Sequence, residues 1–162
     1  MASLRRFFIR TYGCQMNAHD TEKVANLLYH QGYVEAGHPD QADLLLINTC
    51  SIREKAEHRL YSDLGMLREW KAAVPGRVLG VGGCVAQQEG DAILGRFGHL
   101  DFVFGTHNLR RVPAMIEAAR SGFPTLQIEL LQPVGEHPSF VTLVGRIARV
   151  ALGGDGKTEP LR

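Results

Sequence analysis

The chain has 162 residues, 44% of them hydrophobic, and a formal net charge of +1. That length suits one domain with a core of its own, without disulfide or metal staples. The near-neutral balance excludes a basic footprint spread over the whole molecule and leaves only local patches, and no apolar run approaches the ~20 residues that span a bilayer.

The opening stretch, MASLRRFFIRTYGC, is basic, but its apolar part is short. It predicts a first strand over Phe7–Tyr12 rather than a secretory leader, and the expected compartment is the cytosol. DTEKVANLLYHQGY follows as a helix, with Val24, Leu27 and Leu28 at helical spacing and Gly32 as the stop. ADLLLINT is a second strand, continuously apolar, as a strand covered on both faces should be. SIREKAEHRLYSDLGMLREWKAAVPG is the longest helix. Ser51 and Glu54 form a capping-box pair at its start, Ile52, Ala56, Leu60, Leu64 and Leu67 line one face, and Pro75-Gly76 ends it. RVLGVG is a third strand, VAQQEGDAILGRFG a shorter helix, LDFVFGT a fourth strand and RRVPAMIEAARSG a fourth helix.

This alternation predicts an α/β fold: an open, mostly parallel sheet with helices on both faces, flavodoxin- or Rossmann-like. The expected domain runs over residues 1–122. Residues 123–162 read as a linker or tail, in which TLQIELL suits an edge strand, QPVGEHPSF is a loop, VTLVGRIARVALGG fits either element type and GGDGKTEPLR frays.

The three cysteines, Cys14, Cys50 and Cys84, each fall just past a predicted strand, about one βα unit apart. An odd number cannot pair fully within the chain, and cytosolic thiols stay reduced. In a parallel sheet the residues beyond the strand C-termini gather along one edge, where open α/β sheets bind ligands. The fold therefore brings three thiols from separate loops to one rim without any CxxC spacing. Gly13 and Gly82-Gly83 leave room for close backbone approach, and helix N-termini after Cys50 and at Cys84 favour thiolates. Three thiolates suit an iron–sulfur cluster with one open iron, or a zinc ion with a histidine as fourth ligand. A free cysteine is often just a small buried hydrophobe. Three at matching strand ends, with none elsewhere, weigh against that reading for the set.

Four blocks, TYGCQMNAHDTEKVANLL, ADLLLINTCSIREKAE, VGGCVAQQEG and FVFGTHNL, resemble in order the N-terminal domain of the MiaB-type tRNA methylthiotransferases, from about residue 7 to about residue 120. CSIREKAE and GGCVAQQEG are less similar to the branch that modifies a ribosomal protein. The resemblance implies an α/β domain whose Cys14, Cys50 and Cys84 hold an auxiliary [4Fe-4S] cluster, in an enzyme that adds a methylthio group to carbon 2 of N6-isopentenyladenosine near the anticodon. It further implies S-adenosylmethionine and a second [4Fe-4S] cluster on a CxxxCxxC motif in the full-length enzyme, and tRNA as partner. No CxxxCxxC occurs here. The expectation is an isolated N-terminal module or truncated gene product, inactive alone, with a separate chain carrying the radical domain as a second candidate partner.

The competing readings are a structural zinc module with His19 or His107 as fourth ligand, and a flavodoxin-like binding domain with incidental cysteines. LGVGGC lacks the GxGxxG spacing of a dinucleotide loop, so its glycines are read as room for the cysteine loop. Asn17, Asn48 and Thr49 read as helix caps or hydrogen-bond donors near the cysteines, and Glu54, Lys55 and Gln87 as supporting residues around them. Arg5-Arg6 and Arg110-Arg111 read as solvated surface.

Overall fold

The computed structural model describes residues 4–50, 54–122 and 125–127, with the side chains of residues 54–57 and 125–127 excepted. Within them lies one six-stranded sheet in the order β2-β1-β3-β4-β5-β6. The strands are β1 (Arg6–Thr11), β2 (Val34–Glu35), β3 (Leu44–Thr49), β4 (Val78–Gly83), β5 (Phe102–Phe104) and β6 (Thr125–Gln127). Every neighbouring pair is parallel, as the β-α alternation predicts. The two-residue β2 carries too little pattern to be read from sequence, and β6 takes up part of TLQIELL. The capping pair expected at Ser51, the Ile52 and Ala56 contacts, and the elements expected beyond Gln127 lie outside the described residues.

Four helices cover the sheet: α1 (Gln15–His30), α2 (Glu54–Ala73), α3 (Cys84–Arg96) and α4 (Val112–Arg120). Strand alternation divides their contacts. Phe7, Leu44, Leu46, Val78, Phe102 and Phe104 share one core with Val24 and Leu28 of α1 and Val112, Met115 and Ile116 of α4. On the opposite face Arg10 of β1 reaches Asp63 of α2 at 2.8 Å, and Tyr61 of α2 donates to Glu89 of α3 at 2.6 Å. β3 and β4 are buried at every position because both faces are covered. The expected stripe of α2 is borne out at Leu60, Leu64 and Leu67 and extends to Trp70.

The glycines of β4 do two jobs, where the sequence suggests one. Side chains at Gly80 and Gly82 would run into the rings of Phe102 and Phe104 on the neighbouring strand. Those two glycines therefore make room for core aromatics, and only Gly83 serves the cysteine loop.

Candidate functional site

β1 leads to β2 on one side, while β3 lies on the other side of β1. The chain changes direction between β1 and β3, which opens the ligand crevice of an open α/β sheet beyond their C-termini. Cys14 follows β1 and Cys50 follows β3, so they flank this switch point; Cys84 follows β4, the next strand along. Thr11, Asn48, Gly82 and Phe104 form one row across four strands. Thr49 pairs with Gly83, so Cys50 and Cys84 each come one residue after a registered pair. Neighbouring strands are about 4.8 Å apart, which brings the three cysteine-bearing loops to one short stretch of rim.

Each loop is built differently. Cys14 is the N-cap of α1, which starts five residues before the predicted stretch. Gln15–Ala18 carry no apolar period, and cysteine is not a usual cap, so the sequence hides this turn. Asn17 closes it as glutamate closes a capping box: its Oδ1 accepts from the Cys14 amide at 3.3 Å and lies 3.4 Å from Sγ. The backbone amides of Asn17 and then Met16 hold the Cys14 thiol below its ordinary pKa, with a smaller contribution from the Cys50 thiol. Asn17 Nδ2 donates to Asn48 Oδ1 and to the Thr49 carbonyl, both at 3.2 Å. Asn48 Nδ2 returns to the Asn17 carbonyl at 2.8 Å and to Thr21 Oγ1 at 3.0 Å. Asn17 and Asn48 are both buried, so this knot ties the Cys14 turn to the end of β3. Their sequence reading as caps or donors near the cysteines holds, with the donors spent on the protein itself.

Cys50 is buried and Cys14 exposed, with Cys84 between. Cys50 lies under Gly13, whose φ is +142°; a Cβ there would fall 2.6 Å from Cys50 Cβ. Cys84 opens α3 after Gly83, whose φ is +102°. A Cβ at Gly83 would collide with the Thr49 carbonyl oxygen. Thr49 is fully buried, and its hydroxyl has no hydrogen-bond partner among the described residues.

Among the described residues no three His, Cys, Asp or Glu side chains stand close enough to hold a single metal ion. His19 is exposed on α1, 3.9 Å from Glu22, and His107 is exposed in the turn after β5. The structure gathers neither with the cysteines. Gln87 packs against Gly105 at the end of β5, and the Glu54 and Lys55 side chains lie outside the described residues. Of the two arginine pairs, Arg5 is 3.6 Å from Glu117, and Arg110 and Arg111 are exposed before α4.

One group escapes sequence reading altogether. Tyr12, two residues before Cys14, donates to Asp63 of α2, which also binds Arg10. The Arg59 guanidinium lies 5.9 Å from the Tyr12 ring. Burial, then the Asp63 hydrogen bond, raises the Tyr12 pKa, so the hydroxyl stays a donor. This braces the Cys14 loop against α2. Fifty-one residues separate the partners, and no local pattern reports such a pairing.

The pattern defining uncharacterized protein family UPF0004 matches residues 6–105. Relatives named tRNA-2-methylthio-N(6)-dimethylallyladenosine synthase match most of the chain. The protein from Nocardioides sp. is 47% identical over 85% of this chain and 27% of its own length. That from Hydrogenovibrio crunogenus is 54% identical over 69% of this chain and 24% of its own. That from Alkalilimnicola ehrlichii is 43% identical over 86% of this chain and 34% of its own. The chain thus spans about a quarter to a third of the curated relatives it matches. No described helix is long and apolar enough to cross a membrane.

Proposed function

The chain belongs to uncharacterized protein family UPF0004, and from that premise we propose that it is the iron–sulfur module of a cytosolic tRNA methylthiotransferase. The supporting observation is the convergence of Cys14, Cys50 and Cys84 on the rim beside the β1/β3 switch point, in a chain whose relatives bear that enzyme's name.

The donor set suits an iron–sulfur cluster. Zinc–thiolate bonds of about 2.3 Å draw all ligands round one point, whereas a four-iron cluster spreads its thiolates over the corners of a larger body. The cysteines here sit on three separate loops, beyond β1, β3 and β4. Cys14, Cys50 and Cys84 would hold a [4Fe-4S] cluster, which would serve sulfur supply to carbon 2 of an isopentenylated adenosine in tRNA.

The chain's own residues prepare that site. Amides at the start of α1 stabilise the Cys14 thiolate. Gly13 and Gly83 let the flanking loops close without side chains between them. The Asn17–Asn48 knot and the Tyr12–Asp63 brace hold the Cys14 loop from two sides. Three cysteines provide for one such cluster, and the S-adenosylmethionine-dependent step with its second cluster would fall to the parts of the longer relatives beyond this match.

The test is iron and acid-labile sulfide per chain after anaerobic reconstitution, in the wild type and in each Cys→Ala variant. About four of each, lost from all three variants, supports the assignment. A colourless protein that retains zinc instead overturns it in favour of the structural module, and iron indifferent to the substitutions overturns it outright.

A further inference from the structure

A second concavity lies away from the cysteines, on the α2/α3 face. It is a cleft of about 550 Å³ lined by Gly65 and Arg68 of α2 and by Arg96, Phe97, Gly98 and His99 at the end of α3. That volume is within the usual range for small-ligand sites.

Its side chains are arranged rather than scattered. Tyr61 and Phe97 stack with centroids 5.8 Å apart and planes 19° from parallel. Phe97 meets His99 edge-on at 5.9 Å. The Arg96 guanidinium lies 5.1 Å from the Tyr61 ring and 5.6 Å from the Phe97 ring. Tyr61 is fixed by Glu89 at 2.6 Å, and His99 Nε2 by the Leu64 carbonyl at 2.6 Å. The carbonyl only accepts, so Nε2 carries the proton.

Three other cations of this face are held by protein oxygens. Arg10 and Lys71 are each paired with a carboxylate, and Arg77 is held by the carbonyls of Trp70 and Asp40. Arg68 and Arg96 have no carboxylate partner among the described residues. Unpaired guanidinium groups beside a stacked aromatic pair suit a ligand with both phosphate and a planar base. Guanidinium binds phosphate oxygens with two parallel N–H bonds, and bases stack on aromatic and guanidinium planes in sequence-tolerant single-strand recognition.

We propose that this cleft binds a segment of single-stranded RNA, with Arg68 and Arg96 on the phosphate backbone and a base on the Arg96–Phe97 surface. The proposal rests on the tRNA reading above for its choice of RNA. From the ends that face the cysteine rim, Gly65 lies roughly 16 Å along α2 and Arg96 roughly 18 Å along α3, which is kinked at Glu89. A few nucleotides of one strand bridge that distance. The cleft thus anchors the strand while a neighbouring nucleotide reaches the rim, a grip compatible with the near-neutral charge of the whole chain.

The test is fluorescence anisotropy of a labelled single-stranded RNA oligomer with the full 162-residue chain. Adenosine monophosphate and inorganic phosphate serve as competitors. Arg68→Ala and Arg96→Ala should each weaken RNA binding about tenfold at low salt and lower the slope of log K against log salt by about 0.7. Arg96→Lys should keep the slope but lose affinity, because lysine lacks the planar stacking surface. Arg110→Ala should leave both unchanged. All three side chains are exposed, and circular dichroism checks that each variant folds. Wild-type affinity in both alanine variants overturns the proposal. So does binding of adenosine monophosphate or phosphate as tight as that of the oligomer, which would make the cleft a small-anion site. Iron loading of the same variants separates this idea from the cluster assignment: the cleft substitutions should leave iron intact, and the cysteine substitutions should leave RNA affinity intact.

Discussion

The β1–α1 and β4–α3 junctions solve one problem in two ways. Each places a cysteine at the start of a helix directly after a glycine of positive φ, +142° at Gly13 and +102° at Gly83. At Gly13 the atoms that exclude a side chain are themselves side-chain atoms, Asn17 Oδ1 at 2.5 Å and Cys50 Cβ at 2.6 Å. At Gly83 the main obstruction is the Thr49 backbone of the neighbouring strand, with Asn48 Oδ1 behind it at 2.7 Å. The Asn17 amide can turn aside and the Cys50 Cβ can shift with its loop, whereas Thr49 is held by its pairing with β4. The first junction is shaped by a polar network, with reciprocal capping between Cys14 and Asn17. The second is shaped by bare backbone contact, and its N-cap makes no side-chain hydrogen bond.

The largest expected effect falls on the rigid side. Gly83→Ala combines a disfavoured dihedral with a backbone collision and should cost about 3 kcal/mol or more in urea unfolding. A cost below about 1 kcal/mol would show that β3 and β4 can part here. Next comes Asn48→Ala, which strips buried partners from Asn17 and Thr21. It should cost about 2–3 kcal/mol and cut iron retention. Full stability would mean that the knot is incidental and the Cys14 loop is held by Tyr12 alone. Gly13→Ala should cost less than Gly83→Ala, about 1–2 kcal/mol. Equal losses at the two glycines would erase the distinction between the junctions. Tyr12→Phe, which removes the Asp63 bond, should cost about 1 kcal/mol, read as a shift in the urea midpoint at constant slope.

The smallest effect is one of pH. The Cys14 thiol is held below its ordinary pKa by the amides of Asn17 and Met16, then by Cys50. The folded state therefore favours the thiolate. This contribution is fully present above the unfolded-state thiol pKa and is lost as pH falls through the lowered folded value. Site-resolved alkylation of the cluster-free protein should give Cys14 a midpoint below that of the urea-unfolded chain. A midpoint at or above the unfolded one would mean that the α1 amides do not reach the sulfur.

Much of this is legible in the chain because it is local. The continuous run Leu44–Thr49 needs cover on both faces, and Leu60, Leu64 and Leu67 can share only one helix face. A βα repeat with a cysteine after three of its strands places those cysteines at one edge in any parallel sheet. The start of α1 was not legible, since Gln15–Ala18 lack an apolar period and Cys14 takes a role usually held by serine or aspartate. Nor was β2, whose two residues act only through pairing with Arg6 and Phe7.

What the sequence determined by itself was the β-α alternation of the longer elements, the mostly parallel sense of the sheet and the three cysteine positions, because periodicity and turn chemistry act over a few residues. Tertiary structure alone decided which strands neighbour each other and that Gly80 and Gly82 serve Phe102 and Phe104. It also joined Asn17 to Asn48 and Tyr12 to Asp63, and it closed the α2/α3 cleft round two unpaired arginines. These are contacts between residues far apart in the chain. Their energy comes from complementary shape and paired polar atoms, which exist only once the strands are in register.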